Sequence, residues 1–331
     1  MIDSQAYTQI SQYNEYIGDQ IKAWIQPHEY LISKAGDRTY PLLERVNFLV
    51  KFHTSLDTFF KTSVLDLKSY LEKNGSLESD NRALAVVLEQ LYSLLSPLLE
   101  IQDEIWNYSI YPDLIAHGIT IHQIDSLDQH HQRRLREYFC REVFPILTPL
   151  AFDKTHPFPY ISNLSLNLAV ILKETPRSPE LFVRIKIPED QFPRLIPVEI
   201  EQFTPDSHRY DLVFIEDLIS SNLDLLFPGM QIVSSYPFRV TRNSHSSSCN
   251  MSRYQEMVEE LENKDYHRHS TVRIEVSHLM EKPVCGMICD KLFQFSRIFY
   301  RTRGPIGMAD MGVLYGLNRP DLKYKHFCDM I

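Results

Sequence analysis

Histidine, cysteine and clustered arginine are the side chains of this sequence whose types and spacing could do chemistry. Thirteen histidines admit either a metal site or a phosphorylated imidazole, and the closest groupings are His130-His131 and His267-Arg268-His269. Neither has a third ligand at the helix or ribbon spacing that closes a metal site, so solvated surface histidines are expected in both places. Cys285 and Cys289 lie four apart, on one helix face, but no C-x-x-C pair occurs among the five cysteines. They are expected to be buried and unreactive, with no zinc site and no disulfide framework. Arg133, Arg134, Arg136 and Arg141 fall on one predicted helix, and Arg297, Arg301 and Arg303 form a second group. Either could hold a phosphate chain through charge-assisted hydrogen bonds; the alternative is a solvated face paired with nearby acids. Asp57 and Asp66 have no partner carboxylate in sequence, so paired acid and base work is not indicated, and a helix-terminal or salt-bridge role is expected. The phosphate-cradling patterns G-x-x-x-x-G-K-S/T and G-x-G-x-x-G and the nucleophile elbow G-x-S-x-G are all absent, and ten glycines offer little backbone for phosphate loops.

The elements that must carry these residues fall into two kinds. Residues 1–40 are polar with scattered aromatics, which suggests one or two loosely specified helices. From Pro41, Leu42, Val46, Leu49, Phe52, Leu56, Phe60, Val64, Leu67 and Leu71 recur at three- and four-residue steps up to Asn74-Gly75, so a long helix or two abutting ones are expected. His53-Thr54-Ser55 could cap the second of two. A further helix follows from Ser79-Asp80 to Ile105, with a kink expected at Pro97. After Tyr111-Pro112 the character changes. A basic helix from Leu127 to about Phe144 leads through prolines at 145, 149, 157 and 159 into Leu164–Leu172, whose alternation predicts a strand with one face on a core. Strands are also predicted at 183–187, 211–215, 231–235 with 238–241, 271–276 and 297–300, and helices at 216–226, 254–263, 283–293 and 305–317. Asn243–Asn250, NSHSSSCN, is expected to be a mobile loop. The fold class is therefore α+β: an N-terminal helical bundle over 1–110 and a mixed α+β unit over 111–331.

At 331 residues, about two domains are expected. A net charge of −9 argues against a general nucleic-acid binder or a protein held to anionic membrane by charge. No segment approaches the roughly 18 apolar residues of a membrane span, and the N-terminus lacks an apolar secretory run. A cytoplasmic protein with reduced thiols is expected.

Four long segments carry a resemblance. YFCREVFPILTPLAFDKTHPFPYISNLSLNLAVIL, FIEDLISSNLDLLFPGM, YPFRVTR (Tyr236–Arg242) and RGPIGMADMGVLYGLNRPDLKY (Arg303–Tyr324) resemble, in order, the head domain of the polyphosphate kinases that work through a phosphohistidine. Pro41–Phe60, PLLERVNFLVKFHTSLDTFF, resembles the N-terminal domain of that family, which helps form the adenine end of the ATP pocket. The resemblance implies reversible transfer of the terminal phosphate of ATP to histidine and then to polyphosphate, assisted by magnesium, in two further C-terminal domains. Ser55 stands where the family has an asparagine that contacts ATP, a shorter hydroxyl in place of an amide. The run His267-Arg-His-Ser-Thr271 lacks the Gly-Asn of the family's phosphohistidine segment. The expectation is a truncated or degenerate front half that does no phosphoryl transfer alone, holds no cofactor of its own, and acts as scaffold or subunit contact. It would self-associate or join a complete kinase, with polyphosphate a possible ligand. One alternative is the front half of a split enzyme completed by a second chain, with ATP and magnesium needed by the whole. Another is a module that binds some other anion or protein through the basic helix.

Overall fold

The computed structural model describes residues 4–74, 80–152, 161–199, 209–242, 271–292 and 299–324. Within the stretch 1–40, expected to hold one or two loosely specified helices, the described residues Ser4–Gly36 form a single helix, α1, which runs through Pro27. The strong apolar period that follows gives one unbroken helix, α2 (Leu42–Asn74), with the Pro41 carbonyl accepting from Arg45 N at 3.1 Å. His53-Thr54-Ser55 therefore caps nothing. Thr54, Thr58 and Thr62 line its exposed face, each hydroxyl donating to the carbonyl four residues back. α3 (Asp80–Ile105) contains Pro97 and passes through a π turn, Trp106–Ile110, into α4 (Tyr111–Ala116). A second π turn, Phe139–Val143, follows α5 (Gln129–Tyr138). Each π turn is followed by an aromatic residue and a proline, Tyr111-Pro112 and Phe144-Pro145. Proline brings no donor and its ring crowds the carbonyl four residues back, and a turn widened by one residue relieves both problems.

The remaining residues build two sheets. β1 (Ile119–His122), β5 (Leu195–Pro197) and β6 (Tyr210–Phe214) form the smaller, in the order β1-β6-β5. The larger has the order β2-β4-β3-β7-β8-β9, from β2 (Leu150–Phe152), β3 (Leu166–Lys173), β4 (Leu181–Lys186), β7 (Gln231–Arg242), β8 (Thr271–Ser277) and β9 (Tyr300–Thr302). All its pairs are antiparallel except β8 with β9. The two runs expected at 231–235 and 238–241 are one strand. The helix expected over 216–226 is instead two short ones, α6 (Ile215–Ser220) and α7 (Leu223–Leu226). α8 (Lys282–Leu292) is as expected, and Met308–Gly316 is 3-10 rather than α-helical. The short strands β1, β2 and β5 carry too few residues to show a period and were not legible. The predicted loop at 243–250, the helix at 254–263 and the turn at Pro157 and Pro159 lie outside the described residues.

β3 corrects the expectation of a one-sided strand. Leu166, Leu168, Val170 and Leu172 enter one core with Leu135 of α5, Phe139 of the π turn that follows it and Leu218 of α6. Ala169 and Ile171, on the opposite face, enter a second core that runs without interruption through Leu49, Phe52, Phe60 and Leu95 of the helices and Phe238, Val240 and Ile274 of the sheet. Helices thus cover both faces of the large sheet. Among the described residues no helix is long and apolar enough to cross a membrane.

Candidate functional site

The larger core has charged side chains at its centre. At 3.6 residues per turn, His53 and Asp57 fall on the same face of α2 as Val46, Leu49, Phe60 and Val64, so the helix carries them into the interior, 3% and 6% exposed. On β8, Arg273 and Glu275 share one face, alternating with Val272, Ile274 and Val276, and Glu275 is directly opposite Arg239 of β7. Charged groups survive at such depth only when paired, and these pair with one another.

Arg239 forks the Asp57 carboxylate, Nη1 to Oδ1 at 2.9 Å and Nη2 to Oδ2 at 2.7 Å. It also donates to Glu275 Oε2 at 2.9 Å and, through Nε, to the Leu164 carbonyl at 3.0 Å. Arg273 Nη2 donates to both Asp57 Oδ1 and Glu275 Oε2, and its guanidinium lies over the Phe60 ring, 4.9 Å from the centroid. His53 Nε2 is 3.1 Å from Glu275 Oε1, and its Nδ1 is 3.4 Å from Gln102 Oε1. Burial pushes the Asp57 carboxyl up, but Arg273 and Arg239 outweigh it and hold the group below its ordinary value. The same balance holds Glu275 well below the carboxylate range. Arg239 is shifted the other way, raised by Glu275 and Asp57 against its own burial.

The cluster also fixes the backbone around it. Leu164, with φ of 59°, offers its carbonyl to Arg239 and its N–H to Val240 O at 2.8 Å. Gly307, φ 63°, lies against Arg239: an added Cβ would sit 3.2 Å from Cδ and Nε of that arginine and 2.7 Å from Asp310 Oδ2. Nearby, Asp103 of α3 accepts from Thr302 Oγ1, Arg303 N and Gly304 N, binding α3 to the end of β9. Burial outweighs these bonds and raises its pKa.

Ligand atoms of His53, Asp57 and Glu275 lie within 4.8 Å of one another, a donor set that could suit a small cation. Both carboxylates, however, are already bonded to two guanidiniums. A metal ion would have to displace Arg239 and Arg273 or sit beside them, so the set fits arginine and not a metal. What the arrangement does is join: two carboxylates balance two arginines one for one and tie α2 to β7 and β8.

The residues singled out in the sequence are placed apart. Ser55 is half-buried, and its hydroxyl donates to His28 Nε2 at 2.6 Å. The tautomer follows from His28 Nδ1, which donates to the Trp24 carbonyl at 2.5 Å. His28 stacks on Trp24 with ring centroids 4.0 Å apart, so the Ser55 hydroxyl closes the contact between α1 and α2. Arg136 forks Asp224 at 2.6 and 3.0 Å and reaches Asn222 at 2.9 Å. Arg141 pairs with Glu142 at 2.7 Å, Arg134 is half-buried, and exposed Arg133 lies 3.4 Å from His130. Arg301 donates to Met280 O at 2.9 Å and to Cys285 Sγ at 3.2 Å. Arg303 is exposed. Arg297 and the His267-Arg268-His269 run lie outside the described residues. The two arginine groups are not brought together: α5 rests on the core that contains Leu135, whereas β9 adds Tyr300 to the other. His131 bonds Asp128 at 2.9 Å and faces Glu199, and Cys285 and Cys289 are buried. Sequence reasoning missed His53, Arg239, Arg273 and Glu275. The available signal was charge inside an apolar period, at the centre of the α2 stripe and alternating through β8.

Comparison with known proteins covers nearly the whole chain. Residues 19–122 match the family model described as polyphosphate kinase N-terminal domain, and residues 130–314 match polyphosphate kinase middle domain. The chain is 34% identical over 319 residues to a polyphosphate kinase of Parasynechococcus marenigrum, covering 94% of this chain and 44% of that relative. It is 32% identical over 316 residues to one from Synechocystis sp., covering 93% and 43%. The crystal structure of polyphosphate kinase from Porphyromonas gingivalis superposes with a TM-score of 0.72 at 23% identity, over 90% of this chain and 41% of that one. The chain therefore spans less than half the length of these relatives.

Proposed function

The chain belongs to the polyphosphate kinase family, and from that premise we propose that its 331 residues are the front half of an ATP-polyphosphate phosphotransferase that positions phosphoryl transfer without performing it. The observation that carries this reading is the state of the buried cluster. Transfer of a phosphoryl group needs a nucleophile and cations aimed at the migrating group. Among the described residues, the densest gathering of such groups spends its charges on itself, Asp57 and Glu275 on Arg239 and Arg273. That is the chemistry of a scaffold, in which the helical region and the head are held at a fixed angle for other domains to use. Self-association, or pairing with a complete kinase chain in the cytoplasm, belongs to the same proposal. Incubation of the 331-residue protein with ATP and magnesium is expected to give neither polyphosphate nor acid-labile phosphohistidine; either product would overturn the reading.

A second reading is the front half of a split enzyme completed by a separate chain, on the ground that this chain matches the family's N-terminal and middle domains. Mixing with a chain that carries the family's C-terminal domains would then yield polyphosphate from ATP and magnesium. The role of Ser55 is tested by titration calorimetry with ATP. Because its hydroxyl is held by His28, binding is expected to be weak, and unchanged in Ser55→Ala.

A further inference from the structure

α3 runs without a break through the first π turn into α4, and the two sides of this continuous helix differ. Trp106, Ile110 and Leu114 are buried, while Pro97, Ile101, Glu104, Tyr108, Pro112 and Ile115 are exposed. In an α-helix a four-residue step drifts about 40° round the axis. The wider π turn takes up that drift, so Glu104, Tyr108 and Pro112 stay in one row, opposite the buried one. Three large apolar side chains stand along this outward face: Ile101 is 46% exposed, Tyr108 72% and Ile115 46%. Single exposed apolar residues are ordinary, but a row of them with prolines between marks a surface for a partner.

The order of the row tells which partner. Isoleucine, tyrosine and isoleucine follow one another at seven-residue steps, so the row reads the same from either end. Such a surface is complementary to itself about a two-fold axis through its centre, the property of an isologous contact. We infer that two copies of this chain pair through α3 and α4 in antiparallel sense. Tyr108 of one copy then lies against Tyr108 of the other on the axis, and Ile101 of each is beside Ile115 of the other. Charge favours the same sense. Glu100 and Glu104 are exposed at one end of the row, and Arg38, which reaches Asp113 at 3.2 Å, is exposed at the other. Antiparallel pairing brings the acidic end of one copy to the arginine end of the second, whereas parallel pairing sets like charges together. Pro97 to Ile115 spans roughly 28 Å of helix. A helix pair of that length makes a contact near the roughly 1,000 Å² lower limit of specific interfaces, so the dimer dissociates on dilution. This surface locates the self-association proposed above and rests on that reading.

The test is sedimentation of the full chain over a range of concentrations, where the parent is expected to form a dimer that dissociates on dilution. Ile101→Lys and Ile115→Glu each put a charge against an isoleucine and are expected to raise the dimer dissociation constant by about tenfold or more. Mixed together they are expected to restore pairing, since antiparallel docking sets the new cation of one chain beside the new anion of the other. Leu279→Lys, at an exposed apolar residue away from the row, is expected to dimerise as the parent does. Cys140 is exposed, so cross-linking is read in a Cys140→Ser chain, with that chain as the control. Under mild oxidation Tyr108→Cys is expected to link to itself, and Ile101→Cys only to Ile115→Cys. A chain that is monomeric at every concentration would overturn both this surface and the self-association it rests on, and would leave the row as a seat for the family's C-terminal domains. A dimer unaffected by Ile101→Lys and Ile115→Glu would overturn the surface alone, and self-linking of Ile101→Cys would overturn the antiparallel sense. None of these outcomes bears on phosphoryl transfer, which the incubation with ATP decides.

Discussion

Replacing the Asp57 carboxylate leaves Arg239 and Arg273 buried beside a neutral group, and breaking one side of a buried pair costs about 3–5 kcal/mol. Asp57→Asn is expected to lose that much in urea denaturation at neutral pH, well beyond the effect of a surface charge. The carboxyls of Asp57 and Glu275 are held below their unfolded values, so their stabilisation is fully present above about pH 5 and is lost as pH falls toward the folded values. The urea midpoint should drop steeply below pH 4 and less steeply in Asp57→Asn; parallel slopes would remove the cluster from the acid response. Asp217 has the opposite sign. Burial, with Glu216 beside it, pushes its carboxyl up to about 7. Below about pH 4 both states are protonated and the group is neutral to stability; from there to pH 7 the unfolded chain loses its proton first, and stability falls. Asp217→Asn should match the parent at pH 4 and be more stable than it at pH 8, as read by thermal melts at the two pH values.

At the scale of elements, α2 and β8 read differently before and after folding. The apolar period of α2 was plain from Leu42 to Leu71, and so was its helical state; that it is one helix was not, because His53-Thr54-Ser55 looked like a cap. His53 instead points inward to Glu275, and only the sheet packed against α2 explains a histidine on its apolar face. The strand periods of β3, β4 and β8 were likewise legible, but β3 alone could not show that its second face, with Ala169 and Ile171, would also be covered. Gly307 precedes the 3-10 run at Met308 in a left-handed conformation and is pressed on Arg239. Gly307→Ala adds strain of about 1–3 kcal/mol and a contact that moves either Asp310 or Arg239. Its denaturant midpoint should fall accordingly, whereas Gly316→Ala, where an added Cβ meets nothing within 4 Å, should change little.

For the whole molecule, the continuous core and the Asp57–Arg239 junction predict one cooperative unfolding event. Calorimetry should give a single transition with equal calorimetric and van't Hoff enthalpies; two resolved transitions would mean that the helices and the head melt separately. The sequence by itself determined the long periodic helices and strands, the α+β class and the family likeness, because periodicity, proline positions and long ordered motifs are properties of neighbouring residues. It also made the arginine groups visible, but not their partners. Only the tertiary structure decided that Asp57 meets Arg239, 182 residues away in the chain, and that Arg136 is taken up by Asp224, 88 residues away. A charge buried at low dielectric must find its counter-charge wherever the packed elements place one. That choice is made by the assembled sheet and helices, and no local spacing records it.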